Sequence, residues 1–150
     1  MLHEYWGNEM YDRERIARVI SDINRYLQDI PLLMINTPKD LEDRKNFYAL
    51  SMLLFSLLNA VIDLAEETVV AEDLGVPATY REIFSLLARN GIIDQHLFDR
   101  MSALVSYRNR LAHEYGEINP DDLFRVLSMG DDIQTFVNRV KNLAGQEPCS

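Results

Sequence analysis

"FYALSMLLFSLLNAVI", Phe47 to Ile62, runs without a charged residue between Lys45 and Asp63. A membrane span needs roughly 20 predominantly apolar residues. This stretch is shorter, and Ser51, Ser56 and Asn59 interrupt it. It reads as a helix buried on most sides inside a helical bundle. Its start is set by "TPKD", with Thr37 as N-cap, Pro38 in the first helical position and Asp40 at the positive end of the helix dipole. The helix is expected to run to about Glu72.

The segments on either side carry helical signals too. Upstream, Ile16, Val19, Ile20, Ile23 and Leu27 recur at helical spacing, which predicts a first helix from about Met10 to Asp29, ended by Pro31. Downstream, "DLGVPA" breaks the chain and "TYRE" offers a capping box, Thr79 with Glu82, for a helix over about Tyr80 to Arg89. Asp94 caps a fourth helix with Leu97, Met101, Leu104 and Val105 on its apolar stripe. Asn119 and Pro120 start a fifth that runs to about Leu143, with a disturbance expected at Gly130. No segment alternates with a period of two. The fold class is all-α, an up-and-down bundle of five helices, with residues 1–150 as a single domain.

The composition is that of a globular chain, with 47% hydrophobic and 26% charged residues. A net charge of −9 argues against broad electrostatic capture of nucleic acid, though not against a small basic site. Cys149 is the only cysteine, so no disulfide framework exists and a cytoplasmic setting is expected. "MLHEYWGNEM" lacks the apolar region of a signal peptide.

Basic residues concentrate in "YRNRLAHEYG", Tyr107 to Gly116. At about 100° per residue, Arg108 and Tyr115 nearly eclipse one another, whereas Arg108 and His113 stand about 140° apart. Asn109 and His113 lie four apart, on adjacent turns. If Arg108 and His113 serve one phosphate, three solutions are open: the reach of the arginine, a loosened helix before Gly116, or a second copy of the chain across a two-fold axis. Histidine titrates near neutral pH and transfers protons either way. Arginine presents a planar fork that matches phosphate oxygens. The competing reading is structural, because Arg and His near a helix C-terminus complement its dipole. Spacing alone favours that second reading.

"RNRLAHEY" has the form Arg-x4-His-x-Tyr with Asn directly after the Arg. This motif resembles the HEPN superfamily, and more closely the HepT-like (DUF86) toxins of nucleotidyltransferase toxin–antitoxin pairs. The likeness extends through "PATYREIFSLLARNGIIDQHLFDRM" and covers roughly residues 77–118. It implies a two-fold dimer of five-helix bundles and a metal-independent endoribonuclease acting through 2′-hydroxyl attack, with no cofactor. Carried over, Arg108 stabilises the phosphorane, Asn109 supports it and His113 is the general acid or base. Tyr115 matches the tyrosine to which a partner nucleotidyltransferase antitoxin of the MNT type attaches AMP. The implied partners are RNA, that antitoxin and a second copy of the chain, with room for a larger hetero-oligomer, and neither DNA nor membrane.

Arg100, Arg108 and Arg110 are expected to supply the local attraction for RNA that the acidic chain otherwise lacks. A different function class fits the same fold: a non-catalytic subunit that binds a nucleotidyltransferase or its nucleotide. His96 reads as a surface or partly packed residue, and His3 receives no role. The acidic run Glu66, Glu67, Glu72 and Asp73 reads as a solvated helix end, with no Glu-x-x-His pair to support a metal site. Tyr5, Trp6 and Tyr11 read as core or interface. Asn59 and Asp63, four apart, are either a buried polar pair fixing dimer register or the exposed edge of their helix.

Overall fold

The computed structural model describes residues 12–113 and 118–145. Met10, Tyr11, Tyr5, Trp6, His3, Tyr115 and Cys149 lie outside the described residues. Helix α1 spans Arg13–Asp29, and the Asp12 carboxylate accepts from the Arg15 backbone N–H at 3.0 Å. Ile16, Ile20 and Ile23 are its buried positions, at i, i+4 and i+7. Pro31 has no N–H to continue the ladder. The chain instead tightens into a 3₁₀ turn over Ile30–Leu33, and Met34 turns it with a φ of 55°.

Helix α2, Arg44–Ala71, is the centre of the bundle and packs against α1 and the next three of the four helices that follow it. It starts later than the Thr37 cap predicts. Thr37 and Pro38 open only a 3₁₀ turn over Pro38–Glu42, inside which Asp40 accepts from the backbone N–H groups of Asn36 (2.8 Å) and Thr37 (3.0 Å). Asn46 then donates to the Asp40 carbonyl at 2.9 Å. Asp43, extended at ψ 120°, caps the new helix by accepting from the Lys45 N–H at 2.8 Å. The second cap, six residues on, nucleates the long helix and the first makes only a turn. Half of the most apolar 18-residue window of α2 is buried inside the bundle. Leu50, Leu54, Leu57, Leu58, Val61, Leu64, Ala65 and Val69 are enclosed, at the three-and-four spacing of a core-facing stripe.

Helix α3 spans Tyr80–Arg89 behind the Thr79 hydroxyl, which accepts from the Glu82 N–H at 3.1 Å. It ends at Asn90 and Gly91, where a φ of +74° suits glycine. Helix α4, Gln95–His113, begins with Asp94 accepting from the Leu97 N–H at 2.8 Å. The expected fifth helix is one bent arm rather than a single rod. It comprises α5 (Pro120–Val126), capped by Asn119, a 3₁₀ turn over Leu127–Met129, and α6 (Gly130–Gly145). The bend falls just before Gly130, whose own backbone is helical at φ −55°. Phe84 of α3 meets Phe136 of α6 edge-on at 5.7 Å within the core. Among the described residues there are no strands, and the buried side chains form one continuous core. The fold is the all-α five-arm bundle that the periodicity predicts.

Candidate active site

Arg108 lies on α4 between two buried leucines, Leu104 and Leu111, so its stem is packed and its guanidinium emerges between helices. Two neighbouring helices and its own receive it. Its Nε donates to Asn59 Oδ1 of α2 at 2.8 Å. Its guanidinium carbon sits 4.8 Å from the centroid of Tyr80, the first residue of α3, and 5.4 Å from that of Phe55, one turn before Asn59. Its Nη1 donates to Asn109 Oδ1 at 3.3 Å. Among the described residues no carboxylate lies within ion-pairing distance of Arg108.

The structure therefore joins Arg108 to Asn109 but does not bring His113 to them. Helix α4 is continuous through His113, so no loosening closes the angle of about 140° between the two side chains. His113 is exposed at the last described turn of α4. Asn109, also exposed, borders a cleft of about 350 Å³ lined by Glu66, Pro77, Thr79, Tyr80 and Ile83. Arg108 and His113 thus leave one helix on different sides.

The flanking arginines are engaged otherwise. Arg100 Nε pairs with Asp132 of α6 at 2.8 Å, and Arg110 Nη2 pairs with Asp122 of α5 at 3.0 Å. Both are bundle ties whose charge is largely cancelled where it stands. His96 is exposed, as expected of a surface histidine. Of the acidic run, Glu67 pairs with Arg15 at 2.8 Å, and among the described residues no three His, Cys, Asp or Glu side chains converge on a cation site.

Asn59 is the neighbour of Arg108 that sequence reasoning did not connect to the motif. It is half-buried and bonded to Arg108, not to Asp63, which is exposed. Partial desolvation nonetheless holds the Asp63 carboxyl above its ordinary range, with the Arg15 charge opposing the shift. The clue in the sequence was an amide inside the uncharged run from Phe47 to Ile62.

Beside this cluster the surface is apolar. Tyr48, Met52, Phe55, Leu111 and Ala112 line a groove of about 310 Å³ together with Ser51. Met52 is 66% exposed, whereas Ser51 is only 7% exposed and its hydroxyl has no hydrogen-bond partner among the described residues.

Comparison with known proteins gives a consistent neighbourhood. The sequence model of the family described as ribonuclease HepT-like matches residues 16–140. The chain is 29% identical over 132 residues to the mRNA nuclease HepT of Shewanella oneidensis, covering 85% of this chain and 86% of that one. Among solved structures, it is similar to the tri-AMPylated Shewanella oneidensis HEPN toxin in complex with MNT antitoxin. That likeness has a TM-score of 0.78 and 28% identity, over 85% of this chain and 96% of the other. The cytosolic protein YutE of Bacillus subtilis, of unknown function, shares the fold at a TM-score of 0.79 and 19% identity, over 95% and 98% of the two chains.

Proposed function

Since this chain belongs to the ribonuclease HepT-like family of HEPN proteins, we propose that it is an RNA-cleaving toxin whose chemistry is carried by Arg108, Asn109 and His113. The carrying observation is an arginine held by a neutral amide and two rings, with no carboxylate beside it among the described residues. A guanidinium kept in place without an anionic partner is suited to receive a phosphate.

In the proposed reaction the RNA 2′-oxygen attacks the adjacent phosphorus and the bond from phosphorus to the 5′-oxygen breaks. The products are a 2′,3′-cyclic phosphate and a free 5′-hydroxyl. A base takes the 2′-proton, an acid returns a proton to the leaving oxygen, and no metal ion is required. Arg108 stabilises the equatorial oxygens of the phosphorane, Asn109 supports that edge, and His113 supplies proton transfer.

The angle between Arg108 and His113 favours a site shared by two protomers. The groove along Tyr48, Met52 and Phe55 runs beside Arg108 and is apolar enough to seat a second copy. Arg100 and Arg110, already paired, add only weak attraction for RNA. We also carry over AMP attachment at Tyr115 by a nucleotidyltransferase antitoxin, in a cytoplasmic setting where RNA and ATP are both available. The Shewanella toxin shows that a relative is AMPylated in complex with such a partner.

The test is cleavage of RNA in EDTA by purified wild type and His113→Ala. Loss of cleavage in the variant, with an unchanged melting temperature, supports the assignment. Equal cleavage by both sinks it, and no cleavage by either, with stable binding of the transferase, supports the non-catalytic subunit instead. Intact mass after incubation with transferase and ATP should show AMP addition that Tyr115→Phe loses. Light scattering of wild type against Met52→Asp checks the dimer.

A further inference from the structure

Arg108 meets two amide oxygens and two aromatic rings, and the contact to its Nε comes from a residue 49 positions away in sequence. A guanidinium has five N–H donors and can grip a phosphate along two kinds of edge. One uses Nε with one Nη, and the other uses both Nη groups. In this chain Nε is occupied by Asn59 Oδ1 at 2.8 Å. The ring faces of Tyr80 and Phe55, at 4.8 and 5.4 Å, restrict tilting of the plane. The only N–H edge left for an incoming anion is the one bearing Nη1 and Nη2, where Asn109 makes a single, longer contact of 3.3 Å.

We propose that Asn59 is a positioning residue for RNA cleavage: it caps Arg108 Nε and thereby presents the Nη1 and Nη2 edge to the scissile phosphate. The role follows from the amide's chemistry. Its oxygen accepts one strong hydrogen bond yet carries no net charge, so it fixes the arginine without cancelling it. An aspartate there would hold the same geometry and turn the site into another ion pair, like those at Arg100 and Arg110. A leucine would suit the apolar surroundings of α2 and leave Nε free to swing. The inference rests on the proposed nuclease reading for its consequence, but the contact can be tested without it.

The experiment uses the full-length protein with 15N-labelled arginine. The Nε–H resonance of Arg108 is identified by its loss in Arg108→Lys, and its exchange with water is measured in wild type, Asn59→Ala and Asn59→Asp. Asn59→Ala is expected to accelerate that exchange at least about tenfold and to lower the single-turnover rate of RNA cleavage about 10–100-fold, with melting temperature and RNA affinity little changed. Asn59→Asp is expected to keep the Nε–H protected while weakening RNA binding and flattening its salt dependence. That split separates position from charge, which a purely structural role would not do. Unchanged Nε–H exchange in Asn59→Ala overturns the inference, as does cleavage by that variant within about twofold of wild type. If the wild type cleaves no RNA, the nuclease reading fails by itself and the Nε–H exchange still decides whether Asn59 holds Arg108.

Discussion

Three arginines on helix α4 have been put to two different uses. Arg100 and Arg110 each reach a carboxylate on the bent fifth arm, Asp132 and Asp122, at 2.8 and 3.0 Å. Arg108, two residues from Arg110, reaches the amide of Asn59 and the faces of Tyr80 and Phe55 instead. The chain has 24 acidic residues against 15 basic ones, yet the half-buried Arg108 is held without a carboxylate partner among the described residues. An ion pair fixes a cation and spends its field on the partner. An amide and two rings fix it and leave the field available. The comparison explains how an acidic protein can hold Arg108 in place without a carboxylate.

The largest expected effect breaks that comparison directly. Arg108→Ala should lower RNA cleavage by about 10²–10³-fold, the usual cost of removing one preorganised donor to a transition-state oxyanion. Arg110→Ala should cost far less activity and act mainly on stability. Single-turnover cleavage of the same RNA by both variants, alongside their melting temperatures, decides the matter. If Arg110→Ala is as damaging as Arg108→Ala, the distinction between free and paired arginines is wrong.

A smaller effect sharpens the role of the rings. Tyr80 is 39% exposed, so its attraction for the guanidinium belongs at the weak end of such contacts, about 0.5–1 kcal/mol. Tyr80→Leu should therefore slow cleavage by about 2–5-fold, and Tyr80→Phe should leave it near wild type because the ring face is kept. A large loss in Tyr80→Phe would shift the role from the ring to the hydroxyl.

The parts of this arrangement differ in how far they could be read from sequence. Thr79, Asp94 and Asn119 cap the helices they were expected to cap, because a cap is decided within three residues. The burial of Leu50, Leu54, Leu57, Leu58 and Val61 was legible from the uncharged run that contains them. Thr37 was misleading: a good local start signal lost to Asp43, because Asp40 turned its carboxylate back to the preceding N–H groups and closed a turn. The bend at Leu127–Met129 had only the neighbouring Gly130 as a hint. The partner of Asn59 was out of reach, since it depends on the rotation of α2 against α4, and nothing in either helix's own pattern sets that rotation. Spacing did show that Arg108 and His113 diverge, and the unbroken α4 keeps them apart.

The paired arginines make their own, weaker prediction. Arg100 and Asp132 are both partly solvent-exposed, so the pair is discounted to about 0.2–1 kcal/mol of stability. Asp132→Asn should lower the unfolding free energy by that amount in low salt, with the gap narrowing as salt is raised. A difference that is independent of salt would mean that shape rather than charge holds α4 to α6 here.

Two aspartates extend the same contrast to pH, with opposite signs and the smallest expected effects. The backbone N–H groups of Asn36 and then Thr37 hold the Asp40 carboxyl below its ordinary value of 3.8. Its folded form therefore binds a proton less readily than its unfolded form. The stabilisation is complete above 3.8 and is lost as pH falls through the lower, folded value. For Asp63, desolvation raises the folded value above 3.8 against the opposing charge of Arg15. Its charged form is disfavoured in the fold, so it destabilises above the folded value and ceases to do so below 3.8. Urea unfolding across acidic to neutral pH should then show Asp40→Asn less stable than wild type, with the gap closing only below 3.8. Asp63→Asn should be more stable at neutral pH, and its advantage should already shrink above 3.8. Gaps that close in the same pH range would show that the two carboxylates share one environment, and that backbone N–H groups and partial burial do not act on them in opposite directions.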